Sequence, residues 1–246
     1  MTMTTVPIKG VVTADDTAEI YQFWGYSTVT PSDISDALDK AGGQPIKAEI
    51  NSPGGDVYAG SDIYTALKNY SGSVEIDIVG LAASAASVIA MAGDTIKISP
   101  TGQMMIHRSS TVSQGNSDNL ASDLQGLNST DQAIANVYAQ KTGMDVQSIY
   151  QMMSDETWIN AQDAVKDGFA DEVMFAGQPE NVVNGVGQFL SAEVIQKTRS
   201  LLKLKNDSNQ NQIETSQPNA THSVANKLAI LFGKNEERIG ENDGVK

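Results

Sequence analysis

Only two imidazoles occur in the 246-residue chain, His107 and His222, and His222 sits in a stretch dominated by Asn, Gln, Ser and Thr. Any reaction in a folded region that needs a base titrating near neutral pH must therefore use His107. The chain has no cysteine, which excludes thiolate nucleophiles, disulfides, Fe–S clusters and cysteine-ligated zinc, and leaves serine as the nucleophile for such a base to activate. The run Gly80-Leu-Ala-Ala-Ser84-Ala-Ala-Ser87 offers one where a strand gives way to a helix. A serine at such a turn projects its Oγ clear of the sheet, small neighbours admit a substrate backbone, and the following amide points from a helix start toward developing negative charge. The G-x-S-x-G pattern is absent, and an Ala/Ser-rich run also reads as a tightly packed helix. Ser87, one turn on, is the rival hydroxyl and is expected to pack inside; His107 by itself also reads as a structural histidine.

A second constellation is Asn51-Ser-Pro-Gly-Gly55-Asp56, a strand end with two glycines ahead of a helical run. Glycine lets backbone amides come within hydrogen-bonding distance of a ligand, so this turn could serve an extended peptide or an oxyanion, or be no more than a tight strand-to-helix turn. It is not a phosphate loop, because the Lys-Ser/Thr ending is missing and the first lysine downstream is Lys68.

These residues need a frame to hold them. Runs rich in Val, Ile, Tyr and Thr predict strands over 20–26, 46–51, 74–79, 95–99 and 103–107. Helical spacing predicts helices over 32–41, 58–70 and 84–91, the first started by Pro31 and Ser32 and stopped by Gly42-Gly43. Alternating strands and helices imply an α/β domain of βαβ crossovers. A long polar helix is expected over 117–141 with Leu120, Leu124, Leu127, Ile134, Val137 and Tyr138 as one apolar stripe, covering its own sheet or reaching out to another subunit. Shorter helices follow over 145–153 and 161–167. A further helix is expected over 191–203, and residues 205–226 are too poor in core formers to fold.

Composition limits the partners. The 30 acids against 16 bases give a net charge of −14, and all of it falls in residues 1–177, which hold 22 acids and 8 bases. With cations scattered, nucleic acid and anionic membrane surfaces are disfavoured. The longest apolar stretch, residues 79–93, is about 15 residues, short of the roughly 20 a membrane span needs. The start MTMTTVPIKG carries neither a basic-then-apolar leader nor a cleavage site, so a cytoplasmic location is expected. No metal site is expected, since Asp15-Asp16 and Asp155-Glu156 are acid pairs without further ligands, and no cofactor is called for.

The strings NSPGGDVYAG, GLAASAAS, MMIHRS and TGMDVQSIYQMMSDETWINAQDAVKDGFADEV, in that order over residues 18–175, resemble the ClpP serine peptidase family. They are most similar to the ClpP-like proteases that tailed phages and prophages encode for head maturation. The resemblance implies a ClpP/crotonase-type spiral of βαβ units with a protruding handle helix, stacked homo-oligomeric rings, and peptide-bond hydrolysis without a cofactor. It implies Ser84 as nucleophile, His107 as general base, and the Gly55 and Ala85 amides as the oxyanion hole. Its third member, two residues before the aromatic Trp158, falls on Glu156, with the adjacent Asp155, or no third member at all, as the alternatives. Substrates would be proteins, capsid or scaffold among them, processed in the host cytoplasm or the procapsid.

The division expected is an N-terminal segment 1–17, a protease domain 18–177, a helical linker 178–204, and a largely disordered low-complexity tail 205–246 with a short terminal apolar cluster. Cellular members of the family work with an ATP-driven unfoldase. Residues 1–17 do not match the family's axial loop, and ATP dependence is left open. The tail is longer than a cellular member needs and is either an arm for capsid or scaffold, a self-cleaved segment, or a passive extension. Two rivals stand beside the peptidase: a crotonase-type acyl-CoA enzyme, which has no need of a Ser84/His107/Glu156 set, and a non-catalytic capsid-assembly or scaffolding protein on the same fold. A related Ser/Lys enzyme would not require the histidine.

Overall fold

The computed structural model describes residues 3–176; the linker, tail, helix 191–203 and His222 discussed above lie outside the described residues. Strands β1 (Thr4–Val12), β2 (Thr28–Val29), β3 (Ile46–Gly55), β4 (Val74–Ala83), β5 (Thr95–Ile98) and β8 (Glu172–Val173) lie in the order β2-β1-β3-β4-β5-β8, all parallel. Strand β6 (Gln103–Ile106) runs parallel beside the end of β4, and β7 (Thr157–Asn160) pairs antiparallel with β6. Helices α2 (Pro31–Ala41), α3 (Val57–Lys68) and α4 (Ala85–Ala90) make the crossovers that parallel strands require. A capping box between Thr30 and Asp33 and Pro31 in the first turn start α2, and left-handed Gly42 ends it.

The sheet is two-faced. Val6, Ile8, Ile46, Ile50, Ile76, Ile78, Ile96 and Ile98 are fully buried on one side. On the other, Lys9 pairs with Glu49, Lys47 with Glu75 and Asp77, and Lys97 with Glu75 and Glu172, so this side carries ion pairs. Burial disfavours ionisation of Glu75, but hydrogen bonds from Lys97 and Lys47 outweigh it and hold its carboxyl below the ordinary range.

The middle of the sheet explains how the site comes together. Strand β4 pairs with β5 through Glu75–Ile78 and with β6 through Leu81–Ala83, changing neighbour halfway. At the change, Asn51 Oδ1 accepts from the Leu81 amide at 3.1 Å, and a side chain at Gly80 would lie 2.5 Å from that same oxygen. The register of β3 against β4 shifts there, between Ile50 and Ser52. This irregularity carries the end of β4 away from β5 and alongside β6.

The strand expected over 20–26 is absent. Residues Asp15–Phe23 form helix α1, with Asp15 and Asp16 favourably placed in its first turn, and Gly25 turns the chain at φ 86°. The aromatic and β-branched composition read as a strand, but the place beside β3 is taken by β1, whose Val6, Ile8 and Val12 are fully buried while Ile20, Phe23 and Trp24 stay more than half exposed. The expected boundary at 17/18 lies inside α1, and residues 4–12 are hydrogen-bonded into the sheet.

Helix α5 (Ser117–Thr142) starts on a capping box between Asn116 and Asn119 and ends at left-handed Gly143. Its first half leaves Leu120 and Leu124 exposed; the fully buried positions are Asp131, Ala135 and Tyr138. Helix α6 (Val146–Ser154) packs against it, burying Ile149 and Met153, while α7 (Ala161–Lys166) packs on β6, β7 and β8 and buries Ala164. Among the described residues no helix is long and apolar enough to cross a membrane.

Candidate active site

Ser84 stands between the last residue of β4 and the first of α4, with φ 55° and ψ −126°. A non-glycine residue held there costs on the order of 1–3 kcal/mol, which its surroundings must offset. Its amide donates to the Met105 carbonyl on β6 at 2.9 Å, and its carbonyl accepts from the Ser87 amide at 2.9 Å and the Ser87 hydroxyl at 2.6 Å. Both sides of the strained residue are therefore fastened.

His107 follows the last residue of β6. Because β6 runs parallel to β4, with Ala83 beside Met105, the two strand ends deliver Ser84 and His107 to the same edge. His107 Nε2 lies 2.7 Å from Ser84 Oγ, and both residues are partly buried. A serine hydroxyl hydrogen-bonded to an imidazole is the arrangement that lets the ring take the hydroxyl proton as oxygen attacks a carbonyl.

The glycine turn at the end of β3 packs against this pair. Ser52, 1% exposed, donates to the Gly10 carbonyl at 2.6 Å and accepts from the Gly54 amide at 3.1 Å, which sets the turn after the strand. Gly54 has φ 87°, and a Cβ there would meet the Ala83 carbonyl at 2.5 Å and the Ala85 amide nitrogen at 2.8 Å. Gly55 has φ 151°, and its Cβ would fall 2.1 Å from the Val12 carbonyl. Asp56 then caps α3 by accepting from the Tyr58 and Ala59 amides. Gly55, Ser84, Ala85 and His107 together line one cavity of about 610 Å³, whose far wall is α5 through Leu127 and Ile134. The amide of Ala85 opens α4, where no carbonyl of that helix is available to accept from it.

The acid is not seated. Among the described residues His107 hydrogen-bonds to Ser84 and neither to Glu156 nor to Asp155; both acids are exposed, and Asp155 accepts from Gln151 Nε2 at 3.0 and 3.1 Å. The strand register bears on the choice. Ile106 and Thr157 form the last pair of the β6–β7 ladder, so Glu156 directly precedes β7, while Asp155 lies at the end of α6. Glu156 itself has φ 51°, which breaks the strand there.

Ser87, the rival hydroxyl, is fully buried and bonded to Ser84 and Tyr138. Two residues of α5 near the site, Asp131 and Tyr138, carry polar contacts that the motifs did not flag. Asp131, fully buried on α5, accepts from the Ser109 amide at 2.7 Å, the Ser109 hydroxyl at 2.6 Å and Arg108 Nε at 2.7 Å. The signal was present: an acid interrupts the stripe Leu127, Ile134, Tyr138 at a position spaced to face inward. Burial pushes the Tyr138 phenol well above its ordinary range, partly opposed by its bond to Ser87, so it keeps its proton.

The sequence model of the family described as Clp protease matches residues 36–177. The ATP-dependent Clp protease proteolytic subunit of Bacteroides fragilis is 32% identical over 134 residues, covering 54% of this chain and 65% of that protein. The subunit of the same name from Deinococcus radiodurans is 31% identical over 133 residues, covering 53% of this chain and 65% of that one. The chain thus spans just under two thirds of the length of these relatives. A ClpP1 variant from Listeria monocytogenes shares the fold, with a TM-score of 0.59 at 23% identity over 70% of this chain and 91% of that one. A match reaching from α2 to the end of the described residues takes in both glycine and serine turns and His107, and by it the chain belongs to the Clp protease family.

Proposed function

We propose that this protein is a serine endopeptidase in which Ser84 is the nucleophile and His107 the general base. The observation that carries the reading is the 2.7 Å contact between Ser84 Oγ and His107 Nε2, at a turn where Ser84 has φ 55°. Family membership agrees with it. As Oγ attacks a peptide carbonyl carbon, its proton passes to Nε2; the Gly55 and Ala85 amides donate to the resulting oxyanion. Collapse breaks the C–N bond, the imidazolium gives its proton to the leaving amine, and a water deprotonated by His107 releases the acyl group from Ser84. Glu156, two residues before Trp158 as the family resemblance implies, is the acid we assign to orient the ring once substrate or a neighbouring subunit closes the site; Asp155 is the alternative.

We further assign the protein to stacked homo-oligomeric rings, for which the exposed Leu120 and Leu124 on α5 supply an apolar surface. Its substrates are capsid or scaffold proteins of a tailed phage, supported by the resemblance of its four motifs to head-maturation proteases. A fluorophosphonate probe tests the chemistry: wild type labels at Ser84 and cleaves peptides, and Ser84→Ala does neither. Cleavage that survives Ser84→Ala would overturn the assignment. Co-expression with a candidate capsid protein tests the substrate; identical capsid bands with wild type and Ser84→Ala would favour the scaffolding role instead.

A further inference from the structure

Helix α5 bonds residues adjoining the reacting pair at two places, by polar side chains on one face. Asp131 and Tyr138 are seven residues apart, two turns of the helix and about 10 Å along its axis, and both are fully buried. Asp131 grips the two residues that follow His107, taking the Ser109 amide and hydroxyl on one oxygen and Arg108 Nε on the other. Arg108 is held again by Asn128 Oδ1 at 3.1 Å and lies 5.0 Å from the Tyr150 ring centre. Tyr138 grips the other half. The single Ser87 hydroxyl proton goes to the Ser84 carbonyl at 2.6 Å, so the 2.7 Å contact between Ser87 Oγ and Tyr138 is one in which the phenol donates.

These bonds close a loop. It runs from Ser84 to His107, along the backbone to Ser109 and across to Asp131, then along two turns of α5 to Tyr138 and back through Ser87 to the Ser84 carbonyl. Neither polar group is what packing alone would select. A phenylalanine would fill the Tyr138 site against Phe169, whose ring centre is 5.8 Å away, and an apolar side chain would spare the cost of burying the Asp131 carboxylate. What the polar groups add is direction: each fixes a backbone segment that carries one member of the pair. We propose that Asp131 and Tyr138 are positioning residues, and that α5 acts as the ruler setting the Ser84–His107 separation. The inference rests on the serine peptidase reading. A misplacement of about 1 Å in such a pair costs about 100-fold in rate.

The test uses the full chain with Tyr138→Phe and Asp131→Asn, which keep side-chain shape, and Phe169→Leu, which loosens the same core without touching either polar contact. Readouts are the rate of fluorophosphonate labelling at Ser84, kcat and KM on a fluorogenic peptide, and the melting temperature. Tyr138→Phe and Asp131→Asn are expected to lose at least about tenfold in labelling rate and kcat with KM little changed, whereas Phe169→Leu lowers the melting temperature and labels at the wild-type rate. Labelling of Tyr138→Phe and Asp131→Asn within about twofold of wild type, or an equal loss in Phe169→Leu, would overturn the proposal. Wild type that fails to label refutes the peptidase reading alone. In that event the 15N spectrum of the His107 ring, recorded in a His222→Gln background, still decides: the ring nitrogens must shift in Tyr138→Phe and Asp131→Asn, and an unchanged spectrum sinks the positioning role.

Discussion

Substituting alanine for Gly54 probes how tightly the glycine turn is fitted to the serine turn. The residue sits at φ 87°, a region that a Cβ makes unfavourable by about 1–2 kcal/mol. The new methyl would also lie 2.5 Å from the Ala83 carbonyl oxygen and 2.8 Å from both the Ala85 nitrogen and Ser84 Cβ. Two of these three are backbone atoms flanking a strained residue, so no rotamer change relieves the overlap; overpacking of this kind costs about 1–3 kcal/mol more. The sum, about 2–5 kcal/mol, lowers the melting temperature of a domain this size by about 4–20 °C. Relief comes by shifting the Ser84 turn, so fluorophosphonate labelling should slow by about 100-fold, the usual effect of a misplacement near 1 Å. Gly126→Ala is the control, with the same chemical change and the opposite sign. Gly126 lies inside α5 with no atom within 4 Å of its Cβ position, and alanine there gains about 0.5–1 kcal/mol of helix stability. Calorimetry at one fixed protein concentration, necessary because assembly makes melting concentration-dependent, is paired with the labelling rate. A Gly54→Ala protein that melts within about 2 °C of wild type and labels at the wild-type rate would refute the close-fit reasoning.

The two candidate acids separate kinetically: Glu156→Gln should lower kcat by about 100-fold or more, while Asp155→Asn, which loses only its contact with Gln151, should stay within about threefold. The opposite ranking in a peptide assay would move the triad to Asp155. Glu75 titrates the charged face of the sheet. Its folded pKa is depressed, so its contribution is present at neutral pH and lost as pH falls through and below the ordinary glutamate range. Urea unfolding should therefore show wild type more stable than Glu75→Gln by at most about 1 kcal/mol at neutral pH, with the gap closing on acidification; a gap that persists at acid pH would sink the account.

Most of the frame was legible along the chain. The start and stop of α2, the bodies of α3 and of α5 through α7, and the β3, β4, β5 and β6 cores announced themselves through apolar period, composition and end signals, because those are properties of neighbouring residues. Segment 20–26 misled because its Ile, Tyr, Phe and Trp have strand-like composition, and which segment fills the slot beside β3 is settled by a competition between distant residues, won by Val6, Ile8 and Val12. Strand β7 was unread as a strand for a related reason. Its four residues gain their place only by pairing with β6.

At the site, the scarcity of histidine and the absence of cysteine left serine and His107 as the groups available to such chemistry, and the small residues around Ser84 and the glycines after Asn51 marked where backbone could approach a ligand. These are conclusions about which groups exist and what local backbone they permit, and a sequence contains both. Distance is another matter. That β4 changes partners at Gly80, so that Ser84 and His107 arrive within 2.7 Å, and that Asp131 and Tyr138 reach from α5 to Ser109 and Ser87, depend on contacts between residues dozens of positions apart. Such contacts arise only when the burial of the sheet and helix faces is satisfied at once, so the tertiary structure alone decided them.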